Sequence, residues 1–391
     1  MRARALTFTV RAANDVDVDT EREQASFIVE GKVEQLYARG EVASITQVGA
    51  SRYEAAVGQL KLWRDQIEVL RIGRVPRWAE PRWVGGFAFD DAHRANGAWS
   101  GFPSLRFVLP HRLVVRRGSR SFAVEADVPN VPAQSRTPKT KREPKLRVAG
   151  RREWEAAAAN LIQSIQRGQL QKAVLTRVAR PAPARPMSAH AALTFIQTTG
   201  QDGSILRALT PETLVAVAGT KVTSHALAGT APASRSMGRA QNAKLRDEHQ
   251  LVVHHVEAQL KRHCREVQRR ATRWLRLPSL RHLETRFQAE KPSGIPALRV
   301  AAALHPTPAV CGVPTQEARR RLSALERYER GWYTGGVGWL ALSGDAHLWV
   351  ALRASLQRGD VRQAFAGAGL VAGSSPQAEW DETERKLEAC P

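Results

Sequence analysis

Glu379, Glu382 and Lys386 lie three and four residues apart in AGAGLVAGSSPQAEWDETERKL (366–387), so on a helix all three share one face. Ser374-Ser375-Pro376 ahead of them has the form of a helix start, a hydroxyl cap followed by proline in the first turn. Just before it, Gly367-Ala368-Gly369 lacks the side chains that would keep a ligand away from backbone N–H groups, as in an anion-binding nest. Two carboxylates and an ammonium beside such a nest suit a hard cation and an anionic ligand held together. The same letters also describe a glycine-rich strand followed by an exposed helix with an ordinary Glu382–Lys386 pair.

Four other places carry residue types suited to proton transfer or anion binding. Lys172 opens the apolar strand-like run KAVLTR, where desolvation can bring an amine toward a base's working range, or where a strand-edge lysine can simply snorkel to water. Glu212 sits in TPETL (210–214), just before a strand. Glu248 shares a helix face with Leu251, Val252 and His255, an expensive place for a carboxylate unless it is paired or metal-bound. The neighbouring His249, His254 and His255 do not make an HExxH arrangement, so zinc is not expected. Arg353 reads as a strand residue with Trp349 and Ala351 on its side, a setting for bidentate carboxylate recognition. His305, in the rigid turn HPTPAV (305–310), is either a donor to a ligand or a capped loop histidine, and Cys311 carries no sign of an activated thiolate.

The elements that must position these residues alternate helix and antiparallel strand without a βαβ rhythm, which implies an α+β fold with large sheets. Up to about residue 130, LTFTVRA, SFIVEG, WVGGFAFD and LRFVLPHRLVVRRG read as strands, and ASRYEAAVGQLKLWRDQIEVL has helical spacing. Residues 131–147, overlapping PNVPAQSRTPKTKREPK (129–145), form a Pro/Lys-rich linker between an N-terminal sheet-contributing region (1–130) and a catalytic region (148–391), together one intertwined unit. Beyond it come a helix over 153–167 with Trp154, Ala158, Leu161 and Ile165 inward, and a hairpin over 214–229. A long helix over 245–267 follows, with Leu245, Val252, Val256 and Leu260 inward, and then three consecutive strands, VGWLAL, HLWVALRASL and VRQAFAGAGL. The glycines at 367 and 369 lack the spacing and parallel context of a dinucleotide fingerprint.

With 391 residues, 43% hydrophobic and 25% charged, the composition is that of a soluble globular protein. The absence of a long apolar run predicts neither a signal peptide nor a membrane span, and three scattered cysteines suit a reducing cytoplasm. A net charge of +22, with basic clusters at 116–120, 136–147 and from Lys261, raises the question of nucleic acid. With 6% aromatics and no recognisable module, a polyanion is not the expected partner.

Taken together, KAVLTR, TPETL, ALAGTAP (226–232), KLRDEHQLVV (244–253), LHPTPAV (304–310), RGWYTGGVGW (330–339), VALR (350–353) and the closing segment resemble the chorismate-utilising enzymes, and among them the isochorismate synthases. The resemblance implies that fold, with antiparallel sheets face to face and helices outside. It implies Lys172 as the base that activates water, Glu212 as the acid, and Mg²⁺ held by Glu248 and Glu382 with Glu379 close by. Arg353, Lys386, Tyr333 and the backbone of Gly367, Ala368 and Gly369 would hold the carboxylates of chorismate or isochorismate. Gly229, His305, Ala309 and Val310 would complete the pocket. It also implies a cytoplasmic monomer without an amidotransferase subunit. Lys172 favours water over ammonia as nucleophile, and Ala228 argues against aminodeoxychorismate synthesis. The departures are Leu209-Thr210 before Pro211, His225 before the LAG element, and Cys311 where glycine is expected. The alternatives are a salicylate synthase, which adds pyruvate elimination to the same first step, and a polyanion-binding protein on an inactive scaffold.

Overall fold

The computed structural model describes residues 5–13, 15–128, 148–179, 190–233 and 238–391; the linker expected at 131–147 and the basic cluster at 136–147 lie outside them. Two large sheets, of twelve and ten strands, each take strands from both sides of residue 130. Among the described residues every ladder is antiparallel except that of Leu6–Ala12 with Ile67–Ile72. One buried cluster draws on both sheets, with Phe8, Val10 and Phe365 from the larger and Val84, Phe107 and Leu348 from the smaller. The helices pack outside: Arg239–His263 lies on strand Lys221–Pro232, and Pro376–Leu387 lies on strand Val361–Leu370 and on helix Arg151–Gln166. This is the expected α+β architecture. Among the described residues no helix is long and apolar enough to cross a membrane.

The inward faces read from periodicity are buried: Trp154, Ala158, Leu161 and Ile165 on one helix, Leu245, Val252, Val256 and Leu260 on another. The long helix, however, runs from Arg239 to His263 rather than to Val267, because Cys264 turns extended and Arg265–Arg269 pairs with strand Leu280–Glu290. Likewise the early helix stops at Arg64, and Ile67–Ile72 beyond it is a strand.

Two runs read as single strands are each two strands in different sheets. LRFVLPHRLVVRRG breaks at Pro110-His111, leaving Leu105–Leu109 in the smaller sheet and Arg112–Arg117 in the larger. HLWVALRASL breaks at Ala351–Arg353, between Ala346–Val350 in the smaller sheet and Ala354–Arg358 in the larger. Arg353 is therefore not a strand residue; it sits at the crossing with φ of 46°, in left-handed backbone that a non-glycine residue adopts only under local constraint. Apolar residues run on through Ala351-Leu352, and Leu113 follows closely on Pro110-His111, so the pattern alone does not show where a strand changes sheet.

A buried ion pair ties this region together. Arg330 donates to both carboxylate oxygens of Glu326 (2.8 and 2.6 Å), to Val310 O (2.6 Å) and to Val174 O (2.7 Å). Glu326 also accepts from Thr176 N (2.9 Å) and its hydroxyl (2.8 Å). Arg330→Ala leaves Glu326 buried without its counter-charge, so we predict a loss of about 3–5 kcal/mol in urea denaturation. A smaller loss is expected for Arg330→Lys, which keeps the charge but not the fork. An unchanged midpoint in the alanine variant would remove this role.

Candidate active site

The site forms where two chain segments step between the sheets side by side. Strand Ile205–Thr210 belongs to the larger sheet and Thr213–Ala218 to the smaller, so Pro211-Glu212 is a crossing that runs beside Ala351–Arg353. Backbone bonds lock the two crossings: Val350 N donates to Glu212 O (3.1 Å) and Leu209 N to Leu352 O (3.3 Å). The Thr210 hydroxyl donates to Val350 O (2.7 Å) and accepts from Glu212 N (3.2 Å). Thr334, at φ of 62°, joins the same junction through Thr334 N to Ala351 O at 2.9 Å. The Glu212 side chain is thereby fixed in a cleft, 1% exposed, and its Oε1 has no hydrogen-bond partner among the described residues. Burial pushes this carboxyl up to about 8, while Lys172 pulls it the other way; at neutral pH it is a protonated acid.

Lys172 begins strand Lys172–Ala179 and meets Glu248 of the long helix, Nζ to Oε1 at 2.9 Å, with both side chains largely buried. Gly369 makes room for that contact. A Cβ there would stand 2.2 Å from Glu248 Oε1 and 3.3 Å from Lys172 Cε. The glycines are accordingly not a nest. Gly367 to Gly369 run extended, paired with Thr176 to Val174, and neither glycine has a positive φ. Ladder partners of Ala366–Leu370 lie along one edge, and on this stretch Lys386 Nζ donates to Gly367 O at 2.8 Å. Ala368 faces away from the cleft and is fully buried.

The C-terminal helix starts as expected, with Ser375 capping Ala378 N and Pro376 in the first turn. It presents Glu382 and Lys386 to the cleft, joined at 2.7 Å, while Glu379 lies behind them with its carboxylate bonded to Lys244 Nζ (2.7 Å) and Ser374 Oγ (2.9 Å). Burial and then Glu382 push Glu379 up to about 7; Lys244 opposes this and Glu248 adds to it. Three carboxylates thus act on one another at one end of the cleft, and hard oxygen donors of this kind fit a divalent cation such as Mg²⁺. Among the described residues no three metal-ligating side chains stand close enough to hold an ion as placed, and a lysine pairs with each of the three carboxylates.

At the other end, Arg353 donates to His282 Nε2 (3.1 Å), and His282 Nδ1 bonds the Thr230 hydroxyl (3.1 Å). Burial, then Arg353, hold His282 well below its ordinary range, so it is neutral; since the guanidinium only donates, Nδ1 carries the proton. Burial lowers Arg353 to about 10, which leaves it charged. Tyr333 stacks on Phe365 at 5.1 Å, and burial pushes its phenol up, keeping it a donor. Gly229 lines the cleft at a bulge, its φ of 75° bringing the backbone against Leu245. Ala309 and Val310 line it too.

His305 does not. Its ring packs edge-on against Phe87 (5.2 Å), Nε2 bonds Phe89 O (3.1 Å), and burial lowers it to about 3, so it is the capped loop histidine. His225 and Cys311 also lie off the cleft wall: His225 faces Glu284 (3.5 Å), and burial pushes the Cys311 thiol up to about 12. Sequence reasoning missed His282 and Thr230. They lie opposite each other in register on strands Lys221–Pro232 and Leu280–Glu290, a pairing visible only once the two strands are known to be neighbours.

A protonated buried acid, a lysine–glutamate pair, clustered carboxylates and a buried arginine in one cleft define an enzyme site for proton transfer on a small anion carrying more than one charge. The match to known proteins agrees: residues 14–390 fit the family described as chorismate binding enzyme, and the chain belongs to that family. It is 32% identical over 350 residues to the salicylate biosynthesis isochorismate synthase of Pseudomonas aeruginosa, covering 79% of this chain and 73% of that one. It is 33% identical over 258 residues to the vibriobactin-specific isochorismate synthase of Vibrio cholerae, covering 60% of this chain and 65% of that one. The solved menaquinone-specific isochorismate synthase of Escherichia coli superposes with a TM-score of 0.71 at 21% identity, over 100% of this chain and 96% of that one, which shows a shared fold.

Gly369→Ala tests the central contact. The group it displaces is the far end of a flexible side chain, so we predict a protein that still folds but is destabilised by about 3–5 kcal/mol in urea denaturation. Glu248 is displaced from the acidic cluster as well as from Lys172, and turnover drops at least about 100-fold. Retained turnover would show that the pair can form elsewhere.

Proposed function

We propose that this chain is an isochorismate synthase, converting chorismate reversibly to isochorismate with Mg²⁺. The observation that carries the reading is Glu212, a buried, unpartnered carboxyl of the cleft held protonated, with the charge of Lys172, which pairs with the cleft residue Glu248, acting on it. Water gives a proton to Lys172 as its oxygen bonds C2 of the ring; the ring double bonds shift, and the C4 hydroxyl takes the Glu212 proton and leaves as water. Atoms balance as an isomerisation. Lys172 pairs with Glu248 here as an ammonium, so its role as base requires Glu248 to take another counter-charge and the ammonium to give up its own proton to solvent before water is deprotonated. Glu248 and Glu382, with Glu379 behind them, are the residues that would hold Mg²⁺, which supplies positive charge to neutralise and fix one substrate carboxylate. Arg353, steadied by neutral His282, takes the other, and Lys386 and Tyr333 donate alongside. The same reading has the protein cytoplasmic and monomeric, working without an amidotransferase subunit and feeding menaquinone or siderophore synthesis.

Chorismate turnover coupled to isochorismatase, and its loss with EDTA, tests the reaction and its ion; pyruvate release without the coupling enzyme would instead indicate a salicylate synthase. Lys172→Ala is expected to abolish turnover while chorismate still binds by calorimetry, and Glu212→Gln to lower kcat by about 10²–10⁴. Unchanged turnover in either variant removes that role. Because Glu212 must be protonated to act, kcat/KM of the native protein should decline as pH rises through about 8. That limb should be missing from the residual activity of Glu212→Gln.

A further inference from the structure

The cleft holds its carboxylates in three ion pairs: Lys172–Glu248, Lys386–Glu382 and Lys244–Glu379. Lys172 and Lys386 already have work in the reaction. Lys244 does not line the cleft. It stands one helical turn before Glu248 on the same helix, and it reaches across to the C-terminal helix to bond Glu379 at 2.7 Å. Glu379 is 5% exposed and faces the charges of Glu382 and Glu248, so without a counter-charge it would be a costly buried group. The Lys244 side chain is 25% exposed, against 1% for that of Lys172. A long flexible stem with its head near water can withdraw without repacking the core.

We infer that Lys244 is the resident counter-ion of the acidic cluster, and that a divalent cation binds by exchanging with it, sending the ammonium out to solvent. The inference rests on the reading that Glu248, Glu382 and Glu379 take Mg²⁺. It explains how Glu379 can be buried beside two further acids: the lysine both stabilises that carboxylate and competes for it.

Mg²⁺ titrated calorimetrically into the full chain at pH 8.5 and low salt, with thermal melts with and without Mg²⁺, tests this. Lys244→Gln should bind Mg²⁺ about five- to tenfold more tightly than the native chain, and Lys244→Arg about as the native chain does. Metal-free Lys244→Gln should melt about 2–4 °C lower, a deficit that saturating Mg²⁺ removes. Equal or weaker Mg²⁺ binding by Lys244→Gln, or a deficit that persists with Mg²⁺, overturns the exchange and leaves a structural pair. Absence of Mg²⁺ binding and of any Mg²⁺-dependent melting shift in all three proteins is a different failure, and overturns the cation reading itself.

Discussion

An ammonium and a carboxylate, Lys172 and Glu248, meet at 2.9 Å over the bare backbone of Gly369, and the site is arranged to keep that pair buried and matched. Neither charge would be tolerated there alone. The lysine comes from the first residue of one strand, the glycine from the neighbouring strand, and the glutamate from a helix lying across both sheet and hairpin. Three elements distant in sequence are thereby held in one register. A side chain at 369 or an early end to strand Lys172–Ala179 would leave one of the two charges without its partner.

The other groups occupy places where regular structure stops. Glu212 and Arg353 both lie where the chain leaves one sheet for the other, and Thr334 closes the junction between them. A strand residue sends its side chain perpendicular to the sheet, whereas a crossing can aim one into the space between layers. The left-handed backbone at Arg353 and Thr334 is the local strain that such aiming involves, and the Arg330–Glu326 pair holds the surrounding segments while it is sustained.

This division explains what was legible in the sequence. Glu248, Glu382 and Lys386 were readable because helical spacing fixes direction, and Lys172 and Glu212 because their motifs mark element boundaries. Arg353 was found for its chemistry but placed in a strand, since the apolar run Leu348–Leu352 in HLWVALRASL passes without a turn signal through a change of sheet. The glycines at 367 and 369 carried a true signal of close approach with the wrong visitor: one accommodates Glu248 and the other the Thr176 methyl, rather than a ligand against N–H groups. His305 and His282 show the reverse difficulty. One histidine sits in a conspicuous turn and packs on phenylalanines; the other, in an unremarked strand paired with Thr230, meets Arg353 across 71 residues of sequence.

The overall charge of +22 and the charge within the cleft play different parts. A basic surface draws anions of every kind and so accelerates encounter without selecting among them. Inside, Lys172, Lys244 and Lys386 are matched by Glu248, Glu379 and Glu382, which leaves those ammoniums little attraction for an anion arriving alone. Arg353 differs, since its bond runs to a neutral imidazole rather than a carboxylate, and it stays charged though buried. If the acidic cluster holds the proposed Mg²⁺, a small anion is selected by having one carboxylate for this arginine and a second for the ion. A monoanion meets only half of that demand, however strongly the surface attracts it.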